Sequence, residues 1–248
     1  MQAKEKMILR RTVDAALILL LLLLMAYQVT GQKLHEWLGI GMTATLILHH
    51  ILNIRWYASL FRGKYNLYRA VTAAVNTLLL LAILLTAVCG MAMSMHAVPF
   101  LYRLLPVAFA RQFHLTMSYW SFLLMGVHLG LHLPAMTAGI RWRAGAMTVL
   151  RIAFGLIAGW GFFLFLKNGI PDYIFFRTPF AFLDFQKPGI LVFLEYLLML
   201  LSFAFLGSTL ARLFSLLRDK SGERKGKLIA LGAAFAAAVL AAALLLLL

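Results

Sequence analysis

The sequence predicts an all-α, polytopic membrane protein with about seven transmembrane helices, on three observations. Of its 248 residues, 63% are hydrophobic and only 12% charged, against roughly a half and a quarter in a soluble globular domain. The apolar residues gather into runs long enough, as helices, to cross a hydrocarbon core about 30 Å thick. The Lys and Arg residues lie in the short connections between those runs. The net charge of +15 therefore reads as membrane topology, not as a nucleic-acid footprint.

The runs cover 12–30, 34–57, 68–93, 112–134, 149–167, 189–217 and 228–248. The first follows MQAKEKMILRR and has the look of a signal peptide, but it is long enough to span and no clear small-residue cleavage site follows it. The last is almost pure Ala and Leu and reads as a lipid-facing anchor. Residues 1–136 are expected to form a four-helix bundle, and 137–248 three further helices. Seventeen of the 23 Lys and Arg residues fall on one side of this arrangement. That places the N-terminus in the cytoplasm and the C-terminus outside. The longest outer connection, 168–188, is rich in aromatics, and Pro171, Pro179 and Pro188 argue against one continuous helix there. It is expected to lie at headgroup depth, or to cover a site or receive a redox partner.

Six of the seven histidines sit on two runs: His35, His49 and His50 on the second, and His114, His128 and His132 on the fourth. His35 to His49 is a step of 14 residues, and so is His114 to His128. On a helix this step rises about 21 Å and returns to within about 40° of the starting face. Both runs are expected to point the same way, so the histidines match in depth. Ionisable groups inside a membrane suggest function by default, and imidazole is a standard axial ligand of haem iron. The pattern predicts two b haems, the outer held by His35 and His114 and the inner by His49 and His128. The single cysteine, Cys89, excludes a C-x-x-C-H attachment, a Cys-cluster iron–sulfur centre and an intrachain disulfide.

Other residues bear on this site. His50 rivals His49, although the matched spacing favours His49. His132, one turn beyond His128, could ligate, bond a haem propionate, help form a quinone pocket, or be a plain interfacial residue. His96 reads as a loop residue. Arg111, one turn before His114, and Arg55, six residues after His49, could meet propionates, as could Arg103 and Arg69; each is also an ordinary interfacial cation. Gly39, Gly41, Gly126 and Gly130 would let a flat macrocycle approach the backbone, or serve close helix packing. GIGMTA at 39–44 matches a dinucleotide fingerprint by letters only, since it lies inside a span. Asp14 and Glu195 are near-interface carboxylates, with a proton role as the alternative. No P-loop, G-x-S-x-G or H-E-x-x-H occurs, and no substrate-directed catalytic residue is visible.

HEWLGIGMTATLILHHILNIRWY at 35–57, HLTMSYWSFLLMGVHLGLH at 114–132 and FAFLDFQKPGILVFLEYLLML at 180–200 resemble cytochrome b membrane proteins, whose two helices each carry two haem-ligating histidines. More narrowly they resemble the bacterial flavinylation-associated cytochrome family. The resemblance covers the first six spans. It implies a protein of the bacterial inner membrane that moves electrons between the quinone pool, or a cytoplasmic-side donor, and an extracytoplasmic flavoprotein or other redox partner. Quinol oxidation or quinone reduction would be its enzymatic activity, and membrane lipid and quinone its small partners. Two other classes are compatible with the residues. A transmembrane reductase acting directly on ferric iron or oxygen species would expose its outer haem. A non-haem proton-coupled transporter would use the histidines as a relay, at the cost of leaving the equal spacings as coincidence.

Overall fold

The computed structural model describes residues 3–63, 65–137, 139 and 144–218. Among these the chain is all-helical: α1 (Ala3–Met25), α2 (Tyr27–Leu52), α3 (Arg55–Leu60), α4 (Leu67–Met93), α5 (Val107–Thr137), α6 (Ala144–Lys167), α7 (Ile170–Ile174) and α8 (Gly189–Arg218). The expected span at 228–248 lies outside the described residues. Among the described residues three helices are long and apolar enough to cross a membrane, over Leu67–Met93, Gly145–Lys167 and Gly189–Leu217, so a membrane location is plausible. The helices over the other expected spans carry the polar residues that lower their hydropathy: Arg10, Arg11 and Asp14 on α1, and three histidines each on α2 and α5.

The boundaries differ from the apolar runs in instructive ways. α1 begins nine residues before its run because residues 3–11 are mostly good helix formers. It stops at Met25, and Tyr27–Thr30 belong to α2. Within α2, Gly31 adopts φ 66° and ψ 172°, a conformation that costs a side-chain-bearing residue dearly, and the helix kinks there. α2 then ends at Leu52, five residues short of its run. Asn53 stops it: its side-chain amide donates to the His49 carbonyl at 2.9 Å, and its backbone N–H reaches His49 O and His50 O. These bonds satisfy carbonyls that helix termination leaves open. Arg103, at φ 66°, closes α4 in the same manner, its N–H donating to the Ala92 carbonyl at 2.9 Å. The 168–188 connection holds only the five-residue α7, opened by Gly169 at φ 65° and Pro171; no continuous helix forms.

The chain divides into two compact units that interleave in sequence. The first comprises the described residues of Met1–Lys64, Ile83–Ser118 and Thr178–Phe193; the second those of Tyr65–Ala82, Tyr119–Arg177 and Leu194–Leu248. In the first unit α1 packs along α2. Its histidine-bearing part adjoins the end of α4, where Cys89, Ala92 and Ala110 are buried with Met93, Leu105 and Phe113 against them.

The second unit is built on close backbone approach. A Cβ on Gly130 of α5 would overlap the Ala204 carbonyl of α8 and lie 2.7 Å from Ser208 N; one on Gly126 would lie 3.0 Å from Leu200 O. Gly161 of α6 faces the Leu198 carbonyl, and Gly207 of α8 the Val127 carbonyl, with the same lack of room. Small residues with a four-residue period permit such contact between membrane helices. Ser202, buried on α8, donates to the Ala158 carbonyl of α6 at 2.7 Å. Tyr119 stacks on Tyr173 of α7 at 4.8 Å, and Trp120 donates to the Ile174 carbonyl at 3.2 Å.

Candidate functional site

The first unit brings His35 and His114 together. Their ring centroids lie 6.0 Å apart with planes at 74°. His114 Nδ1 donates to the Thr86 carbonyl of α4 at 2.9 Å. A carbonyl only accepts, so the proton sits on Nδ1 and Nε2 keeps its lone pair. Gly90, one turn beyond Thr86, makes this possible: a Cβ there would meet the His114 ring at 3.0 Å. His35 Nδ1 is buried and has no partner at hydrogen-bonding distance; the Tyr27 ring packs edge-on against it at 5.1 Å.

Fourteen residues further along α2 from His35, His49 Nδ1 meets an Asp14 carboxylate oxygen of α1 at 2.8 Å. Asp14 and His49 are partly exposed, at 45% and 23% of their side-chain surfaces. A carboxylate also only accepts, which fixes the same tautomer. His50 is treated differently. Its Nδ1 lies 2.8 Å from the Tyr57 hydroxyl, a group that can give or take the proton, so His50 has no imposed tautomer. Its ring stands edge-on to His49 at 5.4 Å.

In the second unit His128 Nδ1 faces Asn76 Oδ1 of α4 at 2.8 Å. Helix geometry explains the direction. Gly126 and Gly130 sit two residues to either side of His128, about 200° away around α5, and their face is pressed on α8. His128 is thereby turned from α8 toward α4. His132 follows one turn later, its ring 4.7 Å from that of His128. Of the four glycines expected near the histidines, Gly126 and Gly130 serve helix packing. Gly39 and Gly41 do not: a Cβ on either would meet nothing within 4 Å. Gly39 and Gly41 are partly exposed, and no side chain or neighbouring helix covers them.

The cations expected near propionates are less committed. Arg111 is exposed, its guanidinium 5.9 Å from the Phe180 ring, and Arg55 is exposed on α3. Glu195 accepts from Asn168 at 3.0 Å. His96 is exposed and contributes its backbone N–H to a carboxylate that sequence reading passed over. Glu36, next to His35, accepts from Ser94 Oγ at 2.8 Å, His96 N at 2.7 Å, Ala97 N at 3.1 Å, Met95 N at 3.3 Å and Gln32 Nε2 at 3.0 Å. It ties the start of α2 to the turn after α4. An acid in an apolar stretch beside a histidine was the available signal. Asn76, Thr86 and Gly90 gave none, since a backbone carbonyl or a missing side chain carries no pattern.

The arrangement could hold a planar metal complex by its axial positions. Among the described residues no group of three or more His, Cys, Asp or Glu side chains converges on a metal site, so any iron would need its other ligands from a macrocycle. The His35 and His114 rings, 6.0 Å apart, are the two imidazoles that would hold such a complex here. No protein-family model, curated protein or solved structure matches the chain.

Proposed function

We propose that the protein is a membrane b-type cytochrome carrying electrons across the bilayer through two haems, with His35 and His114 as one ligand pair and His49 and His128 as further ligands. The observation that carries this reading is the state of Nδ1. On His49, His114 and His128 it faces an acceptor, from Asp14, Thr86 and Asn76 respectively. Metal-binding histidines almost always donate their second N–H in this way, which orients the ring and presents Nε2 to the metal. The 6.0 Å spacing of His35 and His114 supports the outer pair. For the inner helix-2 ligand, Asp14 favours His49 over His50.

A bound haem supplies a one-electron couple; the chain supplies the rest. Asp14, Thr86 and Asn76 hold the imidazoles in the ligating tautomer, Gly90 lets His114 close on α4, and Glu36 fixes the segment beside His35. With only Cys89 in the sequence, attachment is by coordination and packing. The resemblance to flavinylation-associated cytochromes supplies the partners: the quinone pool or a cytoplasmic-side donor, and an extracytoplasmic flavoprotein or other acceptor. The N-terminus is placed in the cytoplasm on the Lys/Arg distribution, and the remaining apolar runs complete about seven spans.

The test is a reduced-minus-oxidised spectrum of purified protein with haem quantified per chain. Two b haems are expected, falling to one in His114→Ala and to one in His128→Ala. Retention of both haems in both variants would sink the assignment. Colourless wild-type protein made with ample haem would hand the histidines to a proton-coupled carrier.

A further inference from the structure

The histidines of the first unit differ in what faces Nδ1, and the difference runs along α2. At one end, His49 faces a carboxylate oxygen. At the other, His114 faces a neutral carbonyl, and His35 Nδ1 is buried without a hydrogen bond. A charged acceptor draws the Nδ1 proton harder than a neutral one, which makes Nε2 more basic. A more basic axial nitrogen favours the higher oxidation state of iron, and second-shell bonding of this kind is one of the levers that set haem potentials.

α1 is arranged to deliver that carboxylate. Arg10, one turn before Asp14, donates to the Leu52 carbonyl at 2.6 Å. This pins α1 to the end of α2 just past His49. It also directs the guanidinium toward the negative end of the α2 dipole instead of the Asp14 carboxylate. The helix therefore presents a cation to the backbone and an anion to the imidazole, four residues apart.

On the dihaem reading above, we propose that Asp14 is a positioning residue that makes the His49 site the lower-potential of the two and biases electrons toward the His35–His114 end. With the topology read from Lys and Arg, that is outward flow. Each internal transfer moves one electron and makes or breaks no bond. A quinol donor would lose two electrons in two steps and release two protons on its own side, and an extracytoplasmic flavin would take up both electrons together with protons from the outer side.

The experiment is a potentiometric titration of the full-length, haem-loaded protein as wild type, Asp14→Asn and Asp14→Glu. Asn keeps the size and the acceptor but removes the charge. The lower-potential wave should rise by about 59 mV in Asp14→Asn, a tenfold shift in the one-electron equilibrium. The upper wave should stay in place, and Asp14→Glu should titrate close to wild type. In a His114→Ala background the surviving wave should be the one that Asp14→Asn shifts. An unmoved lower wave, or a shift confined to the upper one, overturns the proposal. If Asp14→Asn sheds haem from the His49 site, nitrogen-15 spectra of histidine-labelled, haem-free protein decide. His49 should stay Nδ1-protonated in both proteins, with the more strongly polarised Nδ1–H, read as a downfield Nδ1 shift, in wild type; identical Nδ1 shifts overturn the proposal. Wild type that binds no haem is a different failure, visible in the spectrum beforehand, and it removes the dihaem reading itself.

Discussion

In the second unit, Gly126, Gly130, Gly161 and Gly207 each face a neighbouring helix backbone with no room for a methyl group, while in the first unit Gly39 and Gly41 face nothing within 4 Å. For Gly39 and Gly41 on α2 and Gly126 and Gly130 on α5 the local sequences are alike: glycines two to six positions from a histidine on an apolar helix. What differs is the partner across the helix. Where α8 brings its own small residues and backbone, glycine creates contact and the unit is held by packing. Where no such surface covers Gly39 and Gly41, glycine makes no contact, and the packing of α1 on α2 is joined by polar bonds from Glu36, Asp14 and Arg10. One unit presses its glycines onto neighbouring backbone; the other leaves the glycines of α2 uncovered.

The sharpest way to break this comparison is a matched pair of methyl groups. Gly130→Ala drives a Cβ into the backbone of Ala204 and Ser208, which cannot swing aside as a side chain would. Overpacking of this kind costs about 1–3 kcal/mol, and the rigid neighbours put Gly130→Ala at the upper end. Gly39→Ala adds the same methyl to open space and gains helix propensity of up to about 1 kcal/mol. Thermal unfolding in detergent should therefore move in opposite directions for the two variants. Equal losses would mean that the space beside Gly39 is filled in solution.

The sequence made the helices legible to the extent that their apolar runs were uninterrupted. α4 and α8 begin and end within a residue of the runs at 68–93 and 189–217, because nothing polar competes within them. α1 and α2 departed from their runs because Ala26 breaks the helix between them and Asn53 caps α2, local events that hydropathy does not register. At the site, the histidines announced themselves by spacing, and Gly126 and Gly130 admitted two readings that only the presence of α8 separates. The partners of the rings were harder. Asp14 is 35 residues from His49, Asn76 is 52 from His128, and Thr86 acts through a carbonyl that every residue possesses. Such pairings arise from tertiary geometry and leave no periodic trace.

Glu36 offers the next largest effect and tests the polar half of the comparison. Its carboxylate accepts from three consecutive backbone amides and two side chains. Glu36→Ala leaves those donors to water or to nothing, at about 1–3 kcal/mol for each donor that stays buried. Met95 and His96 are exposed, so water recovers part of the loss and a net cost of about 1–2 kcal/mol is expected. The readout is local. Amide exchange at Met95, His96 and Ala97 should quicken, while exchange along α8 beside Gly207 stays slow. Acceleration throughout the protein would show that the first unit is not held separately by this carboxylate.

The smallest effect is expected where a carboxylate and a cation meet without a task. Arg177 lies 3.3 Å from Asp172, with 68% and 52% of their side-chain surfaces exposed. Exposed pairs contribute about 0–1 kcal/mol, and the backbone bond from Arg177 N to the Asp172 carbonyl at 2.9 Å survives truncation of the side chain. Arg177→Ala should therefore leave the unfolding midpoint nearly unchanged and haem content untouched. Asp14 is similarly exposed, at 45%, so its bond to His49 should contribute little more to stability. If Asp14→Asn is as silent in unfolding as Arg177→Ala yet moves a redox wave, the two ion pairs differ in purpose and not in strength. That outcome would separate a carboxylate that tunes an imidazole from one that merely sits beside a charge.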